Sequence, residues 1–197
     1  MITLFHRPKT RSTRFLWLLE ELGAPYEIKE VVTRTREGGA PDPANPHPHG
    51  KVPAISDDGE VVFESPAIAL YLTDKYPTAG IGPTVGDKQR GAYLSWLVYY
   101  GSVFEPSIMS KFMNTPVPVG TAGWVEIEPV FEHIIKTLSA GPYFLGEKFS
   151  AVDILFSTTF AMFGAAPMIP KSPVLDSYVK RCLDRPAYAR AMAKEAA

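Results

Sequence analysis

Gly50-Lys51-Val52-Pro53-Ala54-Ile55 is the most informative part of the sequence, together with Phe63-Glu64-Ser65-Pro66-Ala67-Ile68, which follows it. Proline has no N–H group and its φ angle is fixed, so Pro53 belongs at the entrance or the edge of a strand. The backbone of Val52 is then free to pair with another chain, for example with an extended peptide ligand. The first stretch therefore predicts a strand with a peptide-binding entrance.

The second stretch predicts a strand that ends where a helix begins. Ser65 is a good N-cap residue, and Pro66 is a good first residue of a helix. The start of such a helix presents unpaired N–H groups and the positive end of the helix dipole to an anion. Glu64, just outside the helix, is placed to meet an ammonium group. Together the two stretches predict a small carboxylate-binding site.

The elements around these stretches predict a thioredoxin-like domain over residues 1–77. Apolar spacing, turn residues and breakers indicate the order strand, helix, strand, long loop, strand, strand, helix. Ser12 or Thr13 is the expected cap of the first helix, which Gly23 ends. The predicted segments are strands at 2–6, 26–32, 52–56 and 60–63, a proline-rich loop at 38–50, and a helix at 65–75.

This pattern resembles the glutathione site of the cytosolic glutathione transferases, in particular bacterial-type, theta- and beta-like members with a serine or threonine hydroxyl. In that family the valine before a cis-proline pairs with the cysteinyl backbone of glutathione, and an acidic residue followed by serine binds the γ-glutamyl end. The resemblance implies that glutathione is the co-substrate and that Lys51 meets its glycine carboxylate. The residues implied or placed in this site are His49, Lys51, Val52, Pro53, Glu64 and Ser65.

The second half of the chain predicts an all-helical domain over residues 87–197, joined by a linker at 78–86. Helical spacing covers 92–113, 125–140, 150–162 and 173–194. Ser150 and Asp153 have the spacing of a capping box, which resembles the internal capping motif of the same family. The predicted fold class is thus α/β plus all-α, with a thioredoxin-like domain followed by helices.

The start of the first helix decides the chemistry. A thioredoxin-type redox enzyme needs a cysteine thiolate there, and this chain has Lys9-Thr10-Arg11-Ser12 instead. A hydroxyl at the positive end of a helix can still hydrogen-bond a bound thiol and lower its pKa from about 8.5. Counted back from Gly23, Ser12 falls where serine-type members of the resembled family carry their catalytic hydroxyl. Thr10 matches that position less well but is near enough to compete, so the sequence leaves the choice between them open.

A hydrophobic acceptor site is expected on the helical domain, because the resembled family brings an apolar electrophile to the thiolate from that side. The candidate lining residues are Tyr99, Tyr100, Phe104 and Met109. Such a stripe at helical spacing is also typical of an ordinary core.

Composition excludes several other classes. A net charge of −1 offers no electrostatic footprint for nucleic acid or an anionic membrane. No apolar run has the ~18 residues of a membrane span, and a single cysteine, Cys182, fits a reducing cytoplasmic compartment. His47 and His49 lack the further ligands that a metal site needs, so no metal is expected.

The predicted function is that of a glutathione transferase, which activates the glutathione thiolate for attack on a hydrophobic electrophile. The resemblance implies a role in detoxification and a homodimer that pairs the N-terminal domain of one subunit with the helical domain of the other. The alternatives are a glutathione-dependent isomerase, dehalogenase or peroxidase on the same fold, or a non-catalytic binding module.

Overall fold

The computed structural model describes residues 1–33, 40, 42–164, 166 and 168–195, which form two compact units. The first unit contains Met1–Ala79 and the segment from Arg185 onward, and the second contains Gly80–Asp184. Part of the predicted loop, at positions 38, 39 and 41, lies outside the described residues.

The first unit is built on a mixed sheet of four strands in the order β2-β1-β3-β4. β1 pairs in parallel with β2, whereas the pairs β1–β3 and β3–β4 are antiparallel. The strands and helices up to this point are β1 (Ile2–His6), α1 (Thr13–Leu22), β2 (Tyr26–Glu30), β3 (Ala54–Asp57), β4 (Glu60–Phe63) and α2 (Ser65–Lys75). This is the predicted thioredoxin-like order, with β2 two residues shorter than expected.

The strand register brings three segments to one edge of the sheet. Phe5 of β1 lies opposite Ala54 of β3, and Ala54 lies opposite Phe63 of β4. The end of β1, the entrance of β3 and the end of β4 therefore lie side by side, because neighbouring antiparallel strands start where their partners end. The loops that open α1 and α2 both leave from this edge.

The second unit is helical, with two isolated β-bridges in the turn at 143–148. Its helices are α3 (Arg90–Tyr99), a π-helical turn (Tyr100–Phe104), α4 (Glu105–Met113), α5 (Ile127–Ala140), α6 (Ala151–Phe163) and α7 (Pro173–Leu183). The predicted capping box is present at the start of α6, where the Asp153 carboxylate accepts the Ser150 N–H at 2.8 Å.

The last helix, α8 (Pro186–Glu195), packs in the first unit. The sequence predicted helical structure over 173–194 inside the helical domain, and the resemblance implied a helix start at Arg185-Pro186; the structure has two helices there, because Pro186 cannot continue a helix and starts a new one. The Tyr188 ring then meets the Trp17 ring of α1 edge-on, with 5.0 Å between centroids. By its contacts α8 thus extends the thioredoxin-like unit, whereas the sequence boundaries assigned it to the helices before it.

Among the described residues, no helix combines the length and the apolar character that crossing a bilayer requires.

Candidate functional site

The entrance of β3 is an open backbone segment. The Val52–Pro53 peptide bond is cis, as the resemblance implies, and Pro53 is buried. The Val52 side chain packs on the cluster of Phe5, Val31 and Ala54. Within the described ranges, the Val52 N–H and C=O groups make no hydrogen bond of their own. A peptide ligand can therefore pair with this backbone as an added strand.

The loop before β3 is held by a residue that the sequence reasoning did not single out. Asn45 is buried, and its side-chain amide donates to the Lys51 carbonyl at 3.1 Å, while its amide oxygen accepts the His47 N–H at 3.0 Å. Asn and Asp bond the backbone two residues on in this way. The sequence signal for this role was an asparagine inside the proline-rich loop, between Ala44 and Pro46.

The two histidines of this loop differ in environment. His47 is buried against the Phe63 ring, with 5.4 Å between centroids, and its Nδ1 accepts the His49 N–H at 3.1 Å. Burial lowers the pKa of His47 below its usual value, although the Glu64 carboxylate raises it in part. His49 and Lys51 are exposed. His47 is thus a neutral structural ring, and His49 and Lys51 are accessible to a ligand.

The start of α2 differs from the prediction in one respect. Ser65 is the first residue of the helix rather than its N-cap, Glu64 occupies the N-cap position, and no side chain caps the helix. Glu64 is exposed, and its φ of 69° and ψ of 125° are strained for a residue with a side chain. The Ser65 hydroxyl therefore does not cap the helix, and the first N–H groups of the helix are left for an anion.

The loop that opens α1 separates the two candidate hydroxyls. Ser12 is fully buried and occupies the N-cap position, but its side chain does not cap the helix. Instead its Oγ accepts the Arg7 N–H at 3.1 Å and lies 2.8 Å from both His6 Nδ1 and Thr10 Oγ1. Thr10 is only half-buried. Ser12 is thus fully enclosed, whereas Thr10 keeps part of its surface exposed while its Oγ1 donates to the Arg7 carbonyl at 2.7 Å and accepts the Ser12 N–H at 3.2 Å.

Two residues that the sequence reasoning left aside stand behind this loop. His6 is buried at the end of β1, and burial lowers its pKa, while the carboxylates of Glu195 and Glu30 raise it in part. Glu195, at the end of α8, accepts hydrogen bonds from the Lys9 N–H at 2.8 Å and from the Thr13 hydroxyl. No local sequence signal connects residues so far apart along the chain.

The candidate acceptor residues take different places in the second unit. Tyr100 and Phe104 are fully buried, and the Tyr100 hydroxyl lies 2.8 Å from both Glu105 Oε1 and Thr159 Oγ1. These two side chains belong to the core of the unit, and core side chains do not line an open pocket. Tyr99 is half-buried against the His133 ring, and burial raises its pKa; Met109 is half-buried as well.

Fold and site together define a class. A thioredoxin-like sheet carries a cis-proline strand entrance, an uncapped helix start and a hydroxyl in place of cysteine at one edge, in a chain whose second unit is helical. This combination is suited to binding a thiol peptide, and it lacks a cysteine for disulfide exchange at the start of α1.

The comparisons with known proteins agree with this class of protein. The glutathione S-transferase N-terminal domain model matches residues 1–74. Glutathione S-transferase 3 of Schizosaccharomyces pombe is 31% identical over 176 residues, which cover 78% of this chain and 70% of that protein. Glutathione S-transferase 3 of Zea mays is 26% identical over 194 residues, which cover 91% of this chain and 87% of that protein.

Solved structures show the same fold over the whole length. A glutathione transferase of Methylococcus capsulatus str. Bath superposes with a TM-score of 0.82 at 26% identity, covering 100% of this chain and 99% of that one. A sphingomonad glutathione S-transferase complexed with glutathione has a TM-score of 0.74 at 30% identity, covering 98% of each chain. The chain belongs to the glutathione S-transferase family. The predicted family, fold class and enzyme class are thereby confirmed.

Proposed function

We propose that this enzyme binds glutathione at the edge formed by the β3 entrance and the start of α2, and that the glutathione thiolate attacks the electrophilic carbon of a hydrophobic molecule. A C–S bond forms to the intact tripeptide as the bond from that carbon to its leaving group breaks. One observation carries the proposal. The cis Val52–Pro53 entrance, the uncapped α2 start at Ser65 and the Thr10 hydroxyl belong to segments that the register places at one sheet edge. The relative solved with glutathione supports the identity of the ligand.

The proposed binding mode uses each end of the tripeptide. The Val52 backbone pairs with the cysteinyl residue, and the exposed Lys51 ammonium meets the glycine carboxylate. The γ-glutamyl carboxylate binds at the α2 start, where the Ser65 hydroxyl and the free N–H groups donate to it, and Glu64 accepts from its ammonium. Pro53 holds the strand entrance in place, and His49 lines the same loop.

We assign the catalytic hydroxyl to Thr10 rather than to Ser12. A hydroxyl that stabilises a thiolate must reach the ligand, and Thr10 is half-buried, whereas the Ser12 oxygen is fully enclosed by His6, Arg7 and Thr10. Removing one hydrogen-bond donor to a developing anion costs roughly 10²-fold to 10³-fold in rate. We therefore expect Thr10→Val to lower kcat with a chromogenic halogenated arene by about 10²-fold.

The test has two stages and a matched control. Glutathione at 100 times its Kd should add about 2.7 kcal/mol to the free energy of unfolding and raise the Tm. Turnover of the arene is then compared between wild type, Thr10→Val and Thr78→Val, the last of which removes an exposed threonine hydroxyl elsewhere in the first unit. Absence of a glutathione-dependent Tm shift contradicts the proposal, and so does equal turnover by Thr10→Val and Thr78→Val.

We propose further that the enzyme acts as a cytoplasmic homodimer in detoxification. Val61 and Phe63 lie on β4, the edge strand, and are 37% and 40% exposed, which is the kind of apolar edge that a second copy covers. Glutathione belongs to the reducing cytosol, and Cys182 is a buried thiol. Light scattering should give the mass of a dimer for wild type and a lower mass for Phe63→Glu; a monomeric wild type contradicts the homodimer.

We propose that the acceptor site lies on α3 and α4. The half-buried Tyr99 and Met109 are the two predicted lining residues that are partly accessible in the second unit. If they contact the electrophile, Met109→Ala should change the ratio of kcat/KM between a large and a small apolar acceptor by about 10-fold. An unchanged ratio for both Met109→Ala and Tyr99→Ala excludes them from the acceptor site.

A further inference from the structure

A chain of polar groups runs from the surface into the interior behind the Thr10 hydroxyl. Thr10 Oγ1 lies 2.8 Å from Ser12 Oγ, and Ser12 Oγ lies 2.8 Å from His6 Nδ1. The other ring nitrogen, His6 Nε2, lies 3.7 Å from Glu195 Oε1. These four side chains come from both ends of the sequence and form one continuous row.

The inner end of the row is enclosed. Ser12 has no exposed surface, His6 is 2% exposed, and the His6 Nε2 atom has no hydrogen-bond partner among the described residues. The carboxylate of Glu195 faces this nitrogen, and it is held by the Lys9 N–H and the Thr13 hydroxyl. A buried nitrogen opposite a fixed carboxylate is stabilised when it carries a proton.

That arrangement sets the direction of the hydrogen bonds. With the proton of neutral His6 on Nε2, its Nδ1 is an acceptor and takes the Ser12 O–H. The Ser12 oxygen then accepts from the Thr10 O–H. The Thr10 oxygen accepts the Ser12 N–H at 3.2 Å with one lone pair and keeps the other for the thiol of a ligand. The Arg7 carbonyl oxygen, 2.7 Å from Thr10 Oγ1 and 3.1 Å from Ser12 Oγ, is a second acceptor to which either hydroxyl can turn.

We propose that His6 accepts the thiol proton of bound glutathione through the hydroxyls of Thr10 and Ser12, with Glu195 stabilising the imidazolium that forms. The proposal rests on the proposed binding of glutathione with its sulfur at Thr10. The S–H bond breaks and its electron pair stays on sulfur. The proton passes to Thr10, the Thr10 proton to Ser12, and the Ser12 proton to His6 Nδ1. The thiolate then accepts a hydrogen bond from Thr10, and the proton returns to solvent after product release.

The surroundings of His6 favour a neutral ring before a ligand binds. Burial lowers the pKa of His6, so the ring is neutral and ready to accept a proton before glutathione binds. The carboxylates that act on it are Glu195 from α8 and Glu30 from β2, and both favour the protonated ring. The neighbouring guanidinium of Arg7 donates to the Thr33 hydroxyl at 2.6 Å.

Two ligands and three variants test the relay. Glutathione carries the thiol proton, and S-methylglutathione has the same backbone without it. In wild type, the NMR signals of the His6 ring should report protonation when glutathione binds at neutral pH and no protonation when S-methylglutathione binds. The ultraviolet absorbance of the thiolate gives the apparent pKa of the bound thiol in each variant.

Glu195→Gln is the sharpest variant, because the amide oxygen still accepts from Lys9 and Thr13 while the charge is lost. We expect Glu195→Gln and His6→Asn to raise the apparent pKa of the bound thiol by about one unit, which is a tenfold loss of thiolate below that pKa. Affinity for S-methylglutathione should stay within about twofold of wild type. His133→Asn, which removes an exposed ring from the second unit, should leave the thiol pKa unchanged.

The failure of the relay is distinct from the failure of the proposed function. If wild type binds neither ligand, the proposed glutathione site is wrong. If all proteins bind S-methylglutathione equally and Glu195→Gln and His6→Asn keep the wild-type thiol pKa, the relay is overturned and the transferase function stands. If His6→Asn does not fold, Glu195→Gln together with the wild-type NMR experiment still decides between these outcomes.

Discussion

The ion pair between Arg185 and Glu21 is expected to hold α8 on α1, and its removal can be given a magnitude. Arg185 Nε donates to Glu21 Oε1 at 2.6 Å, and Arg185 Nη2 donates to Glu21 Oε2 at 2.8 Å. Trp17 Nε1 donates to the same carboxylate at 2.9 Å. The side chain of Glu21 is 8% exposed and that of Arg185 is 30% exposed. The pair is thus bidentate and mostly removed from water.

Arg185→Met keeps an unbranched apolar side chain in place of the aliphatic part of arginine and removes both donors. Breaking a fully buried pair costs about 3–5 kcal/mol, but water reaches the exposed part of Arg185 and compensates a share of that loss. We expect the free energy of unfolding to fall by about 2 kcal/mol, which for a chain of 197 residues corresponds to a Tm lower by about 4–8 °C. Differential scanning calorimetry and urea unfolding measure the two quantities.

A second ion pair provides the control. Lys180 and Asp184 form a pair at 2.5 Å whose side chains are 75% and 62% exposed. Exposed pairs at this i,i+4 spacing contribute about 0.3–0.5 kcal/mol, so Lys180→Met should lower the Tm by about 2 °C or less. In the double variant Arg185→Met with Glu21→Leu, part of the loss should return, because no unpaired carboxylate stays buried. Equal effects of Arg185→Met and Lys180→Met would mean that the pair between Arg185 and Glu21 contributes no more than an exposed pair.

Three further predictions concern single side chains. Burial raises the pKa of Asp153 from 3.8 to about 6, so the folded state holds a proton that the unfolded state releases. The resulting stabilisation is complete below about pH 4 and is lost as the pH rises through about 6. The free energy of unfolding changes by about 3 kcal/mol across this range. The free energy of unfolding of wild type minus that of Asp153→Asn, measured by urea unfolding, should therefore fall between pH 4 and 7. Asp57 affects stability with the opposite dependence on pH, since the hydrogen bond from Lys75 lowers the pKa of its carboxyl. Its stabilisation of the folded state is present above about pH 4 and is lost on further acidification. The free energy of unfolding of Asp57→Asn should therefore fall less steeply with acidification than that of wild type. Glu64→Gly should raise the free energy of unfolding by about 1 kcal/mol, because glycine adopts the positive φ of 69° without strain. The same variant should bind glutathione more weakly, as measured by calorimetry. A variant that is less stable than wild type and binds glutathione as tightly would contradict the strain argument.

The local structure around the site was predictable from the order of the amino acids. Pro53 at a strand entrance, Asp57-Asp58-Gly59 between two strands and Pro66 at a helix start each restrict the backbone of a few neighbouring residues, so their effect is visible in the order of amino acids. The Ser150 and Asp153 pair is equally local. The absence of cysteine at the start of α1 also follows from reading the chain, and it excluded disulfide exchange there.

The position of a side chain relative to the core depended on the tertiary structure. Tyr99 and Tyr100 are adjacent residues of the same type, yet only Tyr100 is fully buried. Likewise Ser12 and Thr10 are both hydroxyls before one helix, and only the fold shows that the Ser12 oxygen turns inward to His6. Helical spacing predicts a face but not what packs on it, because burial depends on the crossing of elements distant in sequence.

The same reason explains the role of α8. Its sequence predicts a helix, but its packing on α1 rests on pairs such as Trp17 with Tyr188 and Arg185 with Glu21, which join opposite ends of the chain. That packing also brings Glu195 to His6. Long-range pairs have no local pattern, since their energy comes from side chains that meet only after the backbone has folded. The helices and strands could therefore be predicted from the sequence, whereas the groups that they bring together are visible only in the folded protein.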